Sequence, residues 1–122
     1  MVIDLHTIDA ELFPIEVSVT AITMAELAAG PHATTDLSER ARRQDRLPRA
    51  EAVFDPLPFD NAAARAYGRI YAAVLTGGRE ARRARAVDLL IAAIACSEQL
   101  PLYTRNPDDF KALGDLVTIH PI

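Results

Sequence analysis

The feature that most limits what this chain can fold into is the run VDLLIAAIACSEQLPLYTRNPDDF, residues 87 to 110. Leu89 to Ala95 is apolar on every side, which suits a helix covered by a sheet on one flank and by more protein on the other. Leu100 to Tyr103 is a short apolar strand with Pro101 near its start, where a missing amide costs a sheet little. A helix that runs back to a parallel strand is the crossover unit of α/β folds. In such folds the loop after the strand lies at the carboxyl edge of the sheet, where ligands bind. Asp88 is expected to open the helix and Asp109 follows the strand, so function turns on whether both reach that edge.

The rest of the chain supplies the partners for this unit. Its 122 residues, half of them apolar, are enough for one domain, 1–122, with a core of its own. Apolar positions in residues 1 to 13 favour a short amphipathic helix, although Met1 to Ile3 alone also reads as a strand end. Val17 to Ile22 is rich in β-branched residues and reads as a strand. Thr23-Met24-Ala25-Glu26 then has the form of a capping box that starts a helix, with Gly30 as its stop.

Residues 36 to 53 read as a charged helix with Leu37, Ala41, Leu47, Ala50 and Val53 facing inward, kinked or divided at Pro48. Phe54 to Phe59 alternates with prolines and reads as extended. Asp60 caps a further helix with an inner stripe of Ala63, Tyr67, Ile70, Tyr71 and Val74, ending at Gly77-Gly78. Leu116 to Ile119 forms a last strand. This order implies an α/β domain with a mostly parallel sheet flanked by helices.

Several functions are poorly matched by the sequence. The three histidines, at 6, 32 and 120, have no metal-ligand spacing. There is no glycine-rich phosphate loop, so a small phosphatase or nucleotide-binding reading has little to rest on. No apolar run is long enough for a membrane span, and the N-terminus lacks the pattern of a secretory leader, so the expected compartment is the cytosol. The single cysteine, Cys96, is expected to be packing within the apolar helix. A net charge of −4 argues against binding nucleic acid by bulk charge. Twelve of the thirteen cations are arginine, however, gathered at 40 to 49 and 79 to 85. Arg82, Arg83 and Arg85, just before Asp88, are either a solvated face or contacts to a phosphate backbone.

The acids have two readings each. Glu26 either caps its own helix or sits at the carboxyl edge of the sheet. Asp88 either complements a helix dipole or stands half-covered beside a cation. Asp109 falls in Thr104-Arg105-Asn106-Pro107-Asp108-Asp109, where Asn106 as a cap and two acids in a first turn account for most of the pattern. Jointly, carboxylates at the starts of helices that follow strands can converge on one edge. Convergent carboxylates repel unless a divalent ion lies between them, and hard oxygen ligands suit magnesium or manganese. Such an ion activates water against a phosphodiester, so metal-dependent phosphodiester hydrolysis follows as a hypothesis.

These segments resemble a known family. VSVTAITMAELAAG at 17 to 30, FDPLPFDNAAARAYGRIYAAV at 54 to 74 and AVDLLIAAIACSEQLPLYTRNPDDF at 86 to 110 are similar to the PIN-domain ribonucleases, and within them to the toxin half of VapBC-type toxin–antitoxin pairs. The resemblance implies a parallel sheet flanked by helices, Mg2+- or Mn2+-dependent cleavage of RNA, inhibition by a cognate VapB-type antitoxin, and a homodimer. It makes Glu26, Asp88 and Asp109 the catalytic and metal-binding acids, with Thr104 and Asn106 assisting and Asn106 as the alternative to Asp109.

One departure stands out. Members of the family open with an apolar strand ending in an Asp-Thr-Ser or Asp-Thr-Asn motif, whereas this chain opens MVIDLHTID. The favoured expectation is that the usual first strand and its aspartate are missing, through a wrong start or a truncation. The chain would then be an impaired or inactive PIN-fold protein that only binds its antitoxin. The alternative makes Met1 to Ile3 the strand and Asp4 the first acid, although Asp4 and Glu26 are then only 22 positions apart.

Overall fold

A computed structural model describes residues 2–3, 18–76 and 83–121, with residues 2–3 and 83–85 as backbone alone. Its elements run β1 (Val2–Ile3), α1 (Ala21–Ala29), α2 (Leu37–Val53), α3 (Asn61–Thr76), α4 (Arg83–Ser97), β2 (Leu102–Thr104) and β3 (Ile119–Pro121), with 3₁₀ turns at Gly30–Ala33 and Pro107–Leu113. The three strands form one parallel sheet in the order β1-β2-β3, Val2 beside Leu102 and Leu102 beside Ile119.

The presence of β1 agrees with the alternative reading, in which Met1 to Ile3 supplies a strand. Val2 and Ile3 pair in parallel with Leu102 and Tyr103, so the N-terminal residues supply sheet rather than a substitute for it. Asp4, which follows β1 in the sequence, and the helix expected through residue 13 lie outside the described residues, as do Gly77, Gly78 and the loop at 79 to 82.

The core is built where the apolar run places it. In α4, Leu89 and the unbroken stretch Ile91 to Ala95 are buried, and Leu89, Ile91, Ala92, Ala93 and Ala95 pack with Ala66, Ile70 and Val74 of α3 and with Leu102, Phe110, Leu113 and Val117. Small residues on the facing sides of α3 and α4 let the two helix axes approach, and this helix pair is the most extensive contact in the domain. The inner stripe of α3 is Ala63, Ala66, Ile70 and Val74, while Tyr71 is turned outward.

Chain reversal after α4 is made by an αL cap. Gln99 takes φ 56°, the Leu100 amide donates to the Ala95 carbonyl at 2.9 Å, and the Gln99 amide donates to the Cys96 carbonyl at 3.1 Å. This is the Schellman arrangement, in which glycine is the usual occupant. The reversal delivers the chain directly to Pro101 and β2.

Three local expectations are corrected. Of the strand expected over residues 17 to 22, residues 18 to 20 make isolated bridges, including Thr20 with Leu57, and α1 begins at Ala21. Helix α2 is a single element across Pro48, which removes one amide donor without ending the helix. Its supposed inner face is mostly outside: Leu37 is 77% and Val53 68% exposed, and only Ala50 is buried. The last strand starts at Ile119, three residues later than its apolar run, because Leu116 and Val117 donate their amides to the Leu113 carbonyl in a turn.

Helix α2 is held to the preceding turn by arginines. Arg40 donates to the carbonyls of Pro31 and Thr34, at 3.2 and 2.9 Å, and Arg43 donates to the Gly30 carbonyl at 3.0 Å. These bonds satisfy carbonyls that the end of α1 and its 3₁₀ extension leave without helical partners. Part of the first arginine cluster is therefore structural. Glu39 receives Arg42 at 2.6 Å and Arg43 at 3.0 Å, and those two guanidinium contacts hold its carboxyl below the ordinary value of 4.5.

Candidate active site

Two of the sequence-identified acids occupy equivalent places in their helices. Glu26 is the sixth residue of α1 and Asp88 the sixth residue of α4, each in the second turn. Both positions differ from the expectation. The N-cap of α1 is Thr20, whose Oγ1 accepts the Thr23 amide at 3.1 Å, so Glu26 stands one turn beyond the place where a capping-box carboxylate reaches back. Asp88 does not open its helix either, because α4 begins at Arg83. A carboxylate in a second turn gains little from the helix dipole, whose effect is concentrated in the first turn. The purely structural readings of both acids lose their main support.

The backbone accounts for the level of Asp88. It lies nine residues before Ser97 at the end of α4, roughly 14 Å along a helix axis. Leu100 to Thr104 climbs back over roughly 13 Å of extended chain. The second turn of α4 is thus level with the end of β2. Because β1 and β2 are parallel, Ile3 and Thr104 end at the same edge of the sheet.

Thr104 is fully buried at that end, and its Oγ1 accepts the Asn106 amide at 3.1 Å. The Asp109 amide in turn donates to the Asn106 carbonyl at 3.1 Å, drawing the chain into the 3₁₀ turn Pro107–Leu113. Buried Phe110 and Leu113 anchor this turn to the core, which fixes half-buried Asp109 close after the strand. Asn106 itself is exposed and makes no side-chain cap. Helix α1 packs against α4, bringing the elements that carry Glu26 and Asp88 together.

Glu26, Asp88 and Asp109 are each half-buried and each takes part in a polar or electrostatic contact. One oxygen of Glu26, Oε1, is buried. Among the described residues, no group of three or more histidine, cysteine, aspartate or glutamate side chains is arranged to hold a metal ion. The donor chemistry fits a hard divalent cation, since all three groups offer carboxylate oxygen and no soft ligand is present among them. Of the arginines expected to meet a phosphate, Arg82 lies outside the described residues, and Arg83 and Arg85 are defined as the backbone of the first turn of α4.

The family is decided by comparison with known proteins. The PIN domain family model matches residues 4–116, nearly the whole chain. This chain belongs to the PIN-domain family. The match begins at Asp4, directly after β1. Among individual relatives, the PIN chain is 40% identical over 119 residues to Ribonuclease VapC5 of Mycobacterium tuberculosis, covering 94% of this chain and 82% of that protein.

Solved structures agree. The crystal structure of VapBC-5 from Mycobacterium tuberculosis, a member of the VapBC family of toxin–antitoxin systems, matches this PIN domain with a TM-score of 0.79 at 35% identity, covering 99% of this chain and 95% of the other. FitAcB from Neisseria gonorrhoeae matches with a TM-score of 0.71 at 30% identity, over 89% of this chain and 77% of the other. Among the described residues no helix is long and apolar enough to cross a membrane.

Proposed function

We propose that this PIN domain is an endoribonuclease that acts as the toxin of a type II toxin–antitoxin pair, using Mg2+ or Mn2+. The observation that carries the reading is its kinship with Ribonuclease VapC5 across nearly all of the chain. The second-turn positions of Glu26 and Asp88, where capping and dipole roles fail to account for them, support it. A cognate VapB-type antitoxin, a homodimer and a cytoplasmic location belong to the same reading, and VapBC assemblies are the structures this fold resembles.

Glu26, Asp88 and Asp109 would hold the ion. Asp4 joins them as a fourth candidate, as the first acid in the sequence after Val2–Ile3. A divalent ion, when bound, lowers the pKa of a coordinated water and neutralises charge on the phosphodiester. In this reading the chain's own contribution is to hold in place the elements that carry these carboxylates. Thr104 does so through its hydroxyl, which fixes the Asn106 amide and thus the path to Asp109. Arg82, Arg83 and Arg85 are assigned to the RNA backbone, where positive charge positions a substrate without reading its sequence.

The test is to incubate the purified chain with a structured RNA and manganese beside an Asp88→Asn variant. The unaltered chain is expected to cleave, with loss of activity on chelation and a fall of at least about 100-fold in the variant. Equal background cleavage by both would leave a PIN-fold protein that binds an antitoxin and hydrolyses nothing.

A further inference from the structure

A pair of aromatic rings stands beside the proposed site without a part in it. Tyr103 and His120 are register partners on β2 and β3, and their rings stack with centroids 4.8 Å apart at an interplanar angle of 25°. Side chains alternate along a strand, and Leu102 and Thr104 are buried on the core side of β2. The Tyr103 ring therefore lies on the opposite side of the sheet, half-buried, with the exposed His120 laid over it. One face of the imidazole is taken by Tyr103, and His120 is exposed.

The place of this stack matters as much as its geometry. Tyr103 is one residue from the carboxyl end of β2, next to Thr104, whose hydroxyl orders the path to Asp109. Arg105, the next residue beyond, is exposed. An exposed aromatic ring and an arginine two residues beyond its stacking partner are groups that single-stranded nucleic acid uses, a surface for a base and a cation for a phosphate. Stacking needs no hydrogen-bond code and accepts any base.

We propose that His120, backed by Tyr103, is a stacking platform for an unpaired base of the RNA next to the cleaved bond, with Arg105 on the neighbouring phosphate. The proposal rests on the ribonuclease reading. His120 acts on binding and leaves the chemistry to the acids.

The experiment uses the full chain and a single-stranded RNA carrying 2-aminopurine, whose fluorescence is quenched when the base stacks. Binding is followed in an Asp88→Asn background, and cleavage kinetics are followed in the otherwise unaltered chain. His120→Ala is expected to abolish the quenching and to weaken binding about tenfold, with the loss in cleavage carried by KM. His120→Phe is expected to restore both, since a phenyl ring offers the same stacking face; it is the quenching, which reports the base itself, that a merely structural role for the imidazole would not supply. Unchanged quenching and KM in His120→Ala, with cleavage intact, would overturn the platform alone. An unaltered chain that neither binds nor cleaves RNA would overturn the platform and the ribonuclease reading together.

Discussion

Thr20 Oγ1 accepts the Thr23 amide at 3.1 Å, and the two hydroxyl oxygens lie 3.2 Å apart, both residues buried. This contact sets the first residue of α1 and hence the turn on which Glu26 falls. Thr20→Ala removes the cap and leaves the Thr23 hydroxyl short of a partner, so it should cost about 1 to 2 kcal/mol. Thr20→Ser should retain most of the stability. Thermal unfolding of the two variants beside the unaltered chain measures the difference.

Gln99 occupies an αL position at φ 56° in the reversal between α4 and β2. An L side chain pays roughly 1 to 2 kcal/mol of strain there, which glycine avoids. Gln99→Gly is therefore expected to stabilise the domain by up to about 1 kcal/mol, after the extra entropy of an unfolded glycine is subtracted. The measurement is a denaturant midpoint, with an unchanged slope. A lower midpoint would show that the side chain contributes more than the strain it bears.

Glu39 carries a lowered pKa because Arg42 and Arg43 both bond its carboxylate. A depressed folded value means that the contribution is present above the unfolded value of 4.5 and fades as pH falls through the folded one. The attachment of α2 should therefore loosen only below the ordinary carboxylate range. Glu39→Gln should flatten this acid limb and leave stability at neutral pH little changed, as expected of an exposed pair. Helix content followed from pH 6 to pH 2 tests it.

Asp4 separates two accounts of the N-terminus. With Asp4 as the first acid of the site, Asp4→Asn should depress RNA cleavage about 100-fold, without lowering thermal stability. Cleavage equal to that of the unaltered chain would show that Glu26, Asp88 and Asp109 suffice. The measurement is an initial rate at saturating manganese.

What was legible in the sequence was whatever burial dictates. The all-round apolar stretch from Leu89 to Ala95 announced a covered helix, and β2 followed from proline and apolar spacing; the helical turn expected after Asn106 is 3₁₀ and lacks the side-chain cap expected of that residue. The helix starts were less legible, because Thr20 and Thr23 offer the same cap chemistry three residues apart and only tertiary pairing with Leu57 chooses between them. Arg83 to Val87 extends α4 ahead of the apolar run that alone marked it, so Asp88 looked terminal. For Leu37 and Val53, periodicity gave a stripe but no indication that it would find no cover within the described fold. The strand at Val2–Ile3 was legible only as an alternative, since two residues carry no period and depend on the neighbour that pairs with them. The ring pair Tyr103 and His120 was invisible for a related reason: the residues meet only through the register of β2 and β3.

Leu57 donates its amide to the Val19 carbonyl at 2.9 Å and receives the Ala21 amide on its own carbonyl at 2.8 Å. The root of α1 is thus gripped by the backbone of a proline-flanked segment far along the chain. Lengthening 54–59 by one residue would shift that grip out of step, and the carboxylate at 26 would swing with its helix. A stretch that holds none of the proposed ligands is in this way a setting screw for one of them.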